Sequence, residues 1–206
     1  MWSRRRVLWV GLAGPVIMVS APATARIATD AAVQHITWLA SRALATLRQP
    51  NRDLAKREAV FGELLRQGFD ISFIGRFVLG PYWRRASRDE QSDYLELFGD
   101  FLVKTYARRL GGYAGERFAV VGAHQAGKQD VVVETRIQRP GGPAFSAAWR
   151  VRQIGAHPRI IDVSVEGVSM AVTQRQEFGA VVNRTGMAGL LNLLRARTQR
   201  LSAVSG

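Results

Sequence analysis

The chain has 206 residues, 47% of them hydrophobic and 22% charged, with a formal net charge of +13. That length suits one domain with a sizeable core, and the composition is neither that of a disordered chain nor of a multi-span membrane protein. Cysteine is absent, which excludes disulfides, thiolate metal sites and cysteine nucleophiles, while the basic excess points to nucleic acid, an anionic membrane surface or an acidic protein.

Arg4, Arg5 and Arg6 precede an uncharged apolar run from Val7 to Val19, and Ala23-Thr24-Ala25 stands before Arg26. A basic start, a short apolar run and a small-x-small site have the layout of a secretory signal peptide. The run is too short for the ~20 residues that span a bilayer. Residues 1–25 are therefore expected to be a removable signal peptide, and 26–206 a single domain in the periplasm. Ser3-Arg4-Arg5 followed by Val7-Leu8 is compatible with twin-arginine as well as general export. Loss of the three arginines lowers the charge only from +13 to +10. Export argues against a nucleic-acid partner, as does the scatter of arginines without interleaved aromatics.

From Thr29 to Leu47, Ala32, Val33, Ile36, Leu39, Ala40, Ala43, Leu44 and Leu47 recur at helical spacing, broken by Pro50-Asn51. A second helix is predicted from about Arg52 to Gln67, stopped by Gly68. A short third one is capped by Asp70 or Ser72 and runs to Leu79 before Gly80-Pro81. Ser87 and Glu90 form a capping box at the head of a fourth helix. Its apolar stripe is Tyr94, Leu97, Phe98, Phe101, Leu102, Thr105 and Tyr106, and Gly111-Gly112 ends it.

The period then drops from about four to two. Strands are predicted at Phe118–Ala123, Asp130–Gln138, Phe145–Ile154 and Arg159–Glu166. Glycine-rich turns at Gly122 to Lys128, Pro140 to Pro143 and Gly155 to Pro158 make them an antiparallel meander. Val131, Val133 and Ile137, then Phe145, Ala147, Trp149 and Val151, then Ile161, Val163 and Val165 form a greasy face. Glu134, Arg136, Gln138, Ser146, Arg150, Arg152, Asp162, Ser164 and Glu166 form a wet one. Helices at about Thr173–Asn183 and Met187–Arg197, parted by Gly186, close the chain. The fold class is α+β, a four-stranded antiparallel sheet with helices packed on one face.

No catalytic or metal constellation emerges. Gly122 to Lys128 matches the first seven positions of a phosphate-binding loop, but Gln129 stands where the magnesium-ligating Ser or Thr belongs. The segment also joins two strands, so it reads as a hairpin turn. His35, His124 and His157 lack the spacing of a metal site. Asp130, Asp162 and Glu166 lie off the apolar face, where strand carboxylates pair with nearby arginines rather than forming a dyad with separated pKa values. No nucleophile elbow is present, so the chain is not expected to be an enzyme and no cofactor is implied. The aromatic stripe and the β-branched sheet face suit either a packed core or a lined cavity.

Two stretches carry a family resemblance. Gly75-Arg-Phe-Val-Leu-Gly80-Pro-Tyr-Trp83-Arg-Arg-Ala86 continues through Gln91, Phe98, Phe101, Leu102, Tyr106 and Ala107 to Tyr113-Ala-Gly115. Ile160-Ile-Asp162-Val-Ser-Val-Glu166-Gly-Val-Ser169 is followed by Arg175, Phe178, Gly186 and Leu190. Together they resemble the MlaC/toluene-tolerance family of periplasmic phospholipid-binding proteins, including its hopanoid-associated HpnM branch, over roughly residues 30 to 197. Pro158-Arg159-Ile160-Ile161 before Asp162 departs from the family's usual tryptophan-bearing strand.

The resemblance implies an apolar pocket for lipid tails, with headgroups in solvent. It implies phospholipid, or a hopanoid-like lipid, as ligand. It also implies an inner-membrane ABC-type complex and an outer-membrane lipoprotein complex as partners. Given a pocket, the inward positions Phe77, Val78, Phe98, Phe101, Leu102, Val131, Val133, Trp149, Val151, Ile161 and Val163 are expected to line it.

Overall fold

The computed structural model describes residues 26–48, 54–110 and 115–203. The expected signal peptide lies outside them, as do the breaks at Pro50-Asn51 and Gly111-Gly112. Helix α1 spans Thr29–Leu47, α2 Leu54–Gly68, α3 Ile71–Leu79 and α4 Arg88–Leu110, with a 3-10 turn at Gly80–Arg84. Strands β1 Arg117–Ala126, β2 Asp130–Gln138, β3 Phe145–Ile154, β4 His157–Val165 and β5 Val168–Ser169 follow, and α5 covers Met170–Ala203.

Local signals explain most boundaries. Asp70, not Ser72, caps α3 by accepting from the Phe73 N–H at 2.8 Å. The capping box of α4 is complete: Ser87 N–H donates to Glu90 at 2.8 Å, and Glu90 N–H donates to Ser87 Oγ at 3.1 Å. Within α5, Gly186 has φ 70 and ψ -177 and breaks the helix where the sequence placed a gap.

The sheet runs β1-β2-β3-β4-β5, each strand antiparallel to the next. It has five strands rather than the expected four. Glu166 and Gly167 both take positive φ, so the chain turns back and pairs Val168-Ser169 with Ser164-Val165. Glu166 tolerates that backbone because its carboxylate accepts from the Ser146 N–H of β3. Strand β1 also runs three residues further than predicted, so the phosphate-loop-like segment is strand and hairpin turn.

The largest departure concerns which faces meet. The sheet's greasy face was expected to oppose the aromatic stripe of α4. Instead Val131, Val133, Val151 and Ile160 pack with Ile27, Ala32, Ile36 and Leu39 at and before α1, and with Leu64 of α2. The α4 stripe forms a second core in which Tyr94, Phe98 and Phe101 meet Ile74 and Val78 of α3 and Phe178, Val182, Leu190 and Leu194 of α5. Phe69, at the α2–α3 junction, touches both cores. Its backbone bridges Ile160 in parallel, and Asp70 N–H donates to the Ile160 carbonyl at 3.0 Å. That contact covers the part of the β4 edge that β5 is too short to reach.

Candidate functional site

The inward sheet face is built from cross-strand rows. Val131, Val151 and Ile160 make one row, and Val133, Trp149 and Val163 the next, followed by Thr135, Ala147 and Val165. Two bulges decide the membership. One inserts Val121 between Val120 and Gly122, which lets Phe118, Val120 and Ala123 all join this core while Val121 is 61% exposed. The other inserts Ile161, so Ile160 takes the place opposite Val151.

Coverage of this face is uneven. Val131, Val133, Val151 and Ile160 are fully buried under α1. Phe118, Val120, Trp149 and Val163 belong to the same cluster but stay only half-buried. The Trp149 indole packs 6.4 Å from the Phe118 ring and donates its N–H to Thr135 Oγ1 at 2.9 Å. Thr135 in turn donates to the Ala147 carbonyl at 2.9 Å. Both polar groups are thereby satisfied within the sheet, and the half-covered surface is hydrocarbon in character.

The structure divides the residues expected to line one pocket. Val131, Val133, Trp149, Val151 and Val163 lie in the sheet core, whereas Val78, Phe98, Phe101 and Leu102 lie in the helical core. Two placements are corrected. Phe77 is 37% exposed, unlike its buried neighbour Val78, and lies beneath the Arg175 guanidinium. Ile161 is buried but falls in neither cluster, because the bulge ends the simple alternation. Sequence reasoning missed Phe118, Val120 and Phe69. Alternation could have supplied Phe118 and Val120, but nothing local announces Phe69.

The polar groups have structural employment. Asp130 is 2% exposed and receives Arg150 at 2.7 Å and Arg152 at 2.6 Å. Burial alone raises its pKa, but hydrogen bonds from Arg152 and Arg150 outweigh burial and hold the carboxyl below its usual range. The Arg152 guanidinium also lies 4.9 Å over the Phe73 ring of α3. Asp162 accepts from Ser169 Oγ at 2.6 Å and from Ala171 N–H at 3.2 Å, securing the start of α5. His35 contacts the Gly68 carbonyl at 3.0 Å, and burial holds its pKa below the ordinary value. Tyr94 donates to the Gly75 carbonyl at 3.0 Å, and burial drives its pKa upward. Among the described residues no three His, Cys, Asp or Glu converge as a metal site, and no helix is long and apolar enough to cross a membrane.

A separate feature lies on the helical side. An open surface groove of about 690 Å³ runs between the α3–3-10 segment and the first half of α5, lined by Phe77, Pro81, Tyr82, Val172, Arg175 and Asn183 among others.

The family model described as MlaC protein matches residues 39–196. The intermembrane phospholipid transport system binding protein MlaC of Haemophilus influenzae is 21% identical over 126 residues, spanning 59% of this chain and 59% of that relative's length. Among solved structures, a phospholipid-binding protein from Ralstonia solanacearum, in complex with a phospholipid, aligns with a TM-score of 0.72 at 22% identity. That alignment covers 83% of this chain and 98% of the other, and it is a likeness of fold.

Proposed function

The chain belongs to the MlaC family, and from that premise we propose that it is a non-catalytic carrier that holds a phospholipid by its tails. The observation carrying this reading is the half-covered hydrocarbon face of Phe118, Val120, Trp149 and Val163, whose neighbouring polar atoms are already satisfied. Such a surface gains by accepting an acyl chain, at roughly 0.8 kcal/mol per buried CH₂. A chain of about fifteen carbons then gains about 12 kcal/mol, close to what it loses on leaving a bilayer, so exchange with membranes is nearly neutral.

In this proposal Val131, Val133 and Val151 form the floor, Trp149 and Val163 the tail-contacting wall, and Ile161 stiffens the strand at its bulge. Val78, Phe98, Phe101 and Leu102 contact a tail where it passes Phe69 into the helical core. Phe77 lies outside this path. The signal-peptide layout of residues 1–25 supports export to the periplasm. The name of the Haemophilus influenzae relative supports transport of phospholipid between membranes, and in this proposal the exchange partners are an inner-membrane ABC-type complex on one side and an outer-membrane lipoprotein complex on the other.

The test is mass spectrometry of the organic extract of protein purified from its native cells. A stoichiometric phospholipid is the expected result. A hopanoid in its place would move the cargo to the hopanoid-associated branch, and an empty extract would refute the carrier reading.

A further inference from the structure

The open groove lies at the outer margin of the helical core, with Leu79 and Tyr82 among its lining. Its walls include the exposed apolar side chains of Phe77, 37% accessible, and Val172, 43% accessible. Exposed apolar groups gathered in one concavity mark an interaction site more often than scattered ones do.

Arg175 stands at its lip, and the backbone is shaped to seat it. The guanidinium lies 5.0 Å over the Phe77 ring. Also against it is Gly80, with φ 60 and ψ -129, a conformation natural only to glycine. A Cβ at Gly80 would stand 3.0 Å from the Arg175 guanidinium carbon. One glycine thus serves both the turn and the bed on which the arginine lies flat. Tyr82 donates to Asn183 at 2.7 Å and ties the 3-10 turn to α5 at the other end, so the groove is preformed.

The charge is uncompensated. Arg76, Arg84 and Arg85 on the α3–3-10 segment, and Arg175 and Arg184 on the first half of α5, are all exposed. None of the five joins an ion pair among the described residues, whereas Arg66, Arg150, Arg152 and Arg195 elsewhere each hold a carboxylate. The one carboxylate on these stretches, Glu177, is bonded to Gln174. The surface therefore offers an apolar hollow under a planar, pinned guanidinium within a field of unpaired arginines. A concave site receives a projecting side chain, while bilayers are engaged by projecting residues.

We propose that this groove is a docking site for a partner protein that inserts an apolar side chain flanked by carboxylates, with Arg175 as its central contact. The proposal goes beyond cargo binding and does not depend on what lies against the sheet.

Co-sedimentation tests it, using sonicated membrane fragments of the native cells, which expose both faces of the envelope, beside liposomes made from lipid extracted from the same fragments. Wild-type protein is expected to bind the fragments, to lose that binding once they are shaved with protease, and to leave the liposomes largely unoccupied. Arg175→Glu should weaken binding by at least about tenfold, as should Val172→Asp on the apolar wall. Arg200→Glu, the same charge change at the far end of α5, should leave it within about twofold. Both groove variants alter exposed side chains, and an unchanged melting temperature and lipid load would separate loss of docking from loss of fold or cargo. Equal binding to liposomes would assign the surface to the bilayer and overturn the proposal. So would Arg175→Glu matching wild type or Arg200→Glu, or an absence of binding to intact fragments.

Discussion

Replacement of Asp130 by Ala tests how the sheet's polar side is held. The carboxylate is 2% exposed and takes three hydrogen bonds, from Arg150 Nε at 2.7 Å and from Arg152 at 2.6 and 3.0 Å. Removing one member of a buried pair costs about 3–5 kcal/mol, chiefly through the charge left behind. Here the orphaned arginine side chains keep 48% and 25% of their exposure, so water recovers part of that loss. The expected destabilisation is therefore at the lower end, about 3 kcal/mol. In urea, with a slope of about 2 kcal/mol per molar, the midpoint should fall by about 1.5 M. The pH dependence has a definite sign. Because the folded carboxyl lies below its ordinary value of 3.8, its contribution is in place above that pH and is lost as pH falls through the folded value. The Ala variant and wild type should converge in that acid range. Replacing all three charges, as Asp130→Leu with Arg150→Met and Arg152→Met, should recover most of the loss, since it removes the uncompensated ions. A midpoint shift under about 0.5 M for Asp130→Ala, equivalent to about 1 kcal/mol, would refute the reasoning.

Three further outcomes are expected. His35 is held neutral by burial, so its contribution is in place above pH 6.5 and declines as the solution is acidified below that value; His35→Gln should flatten the urea midpoint between about pH 7 and 5. Phe98, 1% exposed and within ring contact of Tyr94 and Phe178, should cost about 3–5 kcal/mol when cut to Ala, read as a fall in melting temperature. Val163→Asp places a charge on the half-covered sheet face and should empty the lipid extract while the fold persists; a full lipid load in that variant would count against tail contact there.

What was legible in the chain was mostly local. The Ser87–Glu90 box, the Asp70 cap, the break at Gly186 and the bounds of β2 and β3 each depend on neighbours a few residues apart. Which stripe meets which face depends on distant pairings, and there the expectation failed. The α4 stripe is satisfied by α3 and by α5, which returns across it, while α1 claims the sheet. Strict alternation also assumes an unbulged strand. The extra residues Val121 and Ile161 shift the phase by one; Gly122 directly follows the first, whereas no glycine or proline adjoins the second. The short β5 was hidden because its turn uses Glu166 at positive φ, an unusual residue for that backbone.

The hydrogen bonds joining Trp149, Thr135 and Ala147 leave the exposed part of the inner sheet with no unused indole or hydroxyl hydrogen for a visitor. A wall of that kind is chemically indifferent. It ranks guests by length and girth, so a chain two carbons shorter should bind about fifteenfold more weakly, at roughly 0.8 kcal/mol per carbon. It gives almost no preference among compounds that differ only at their polar ends. Any discrimination by headgroup must then be exercised at the rim of the site, and short-chain detergents should be poor competitors for long-chain occupants.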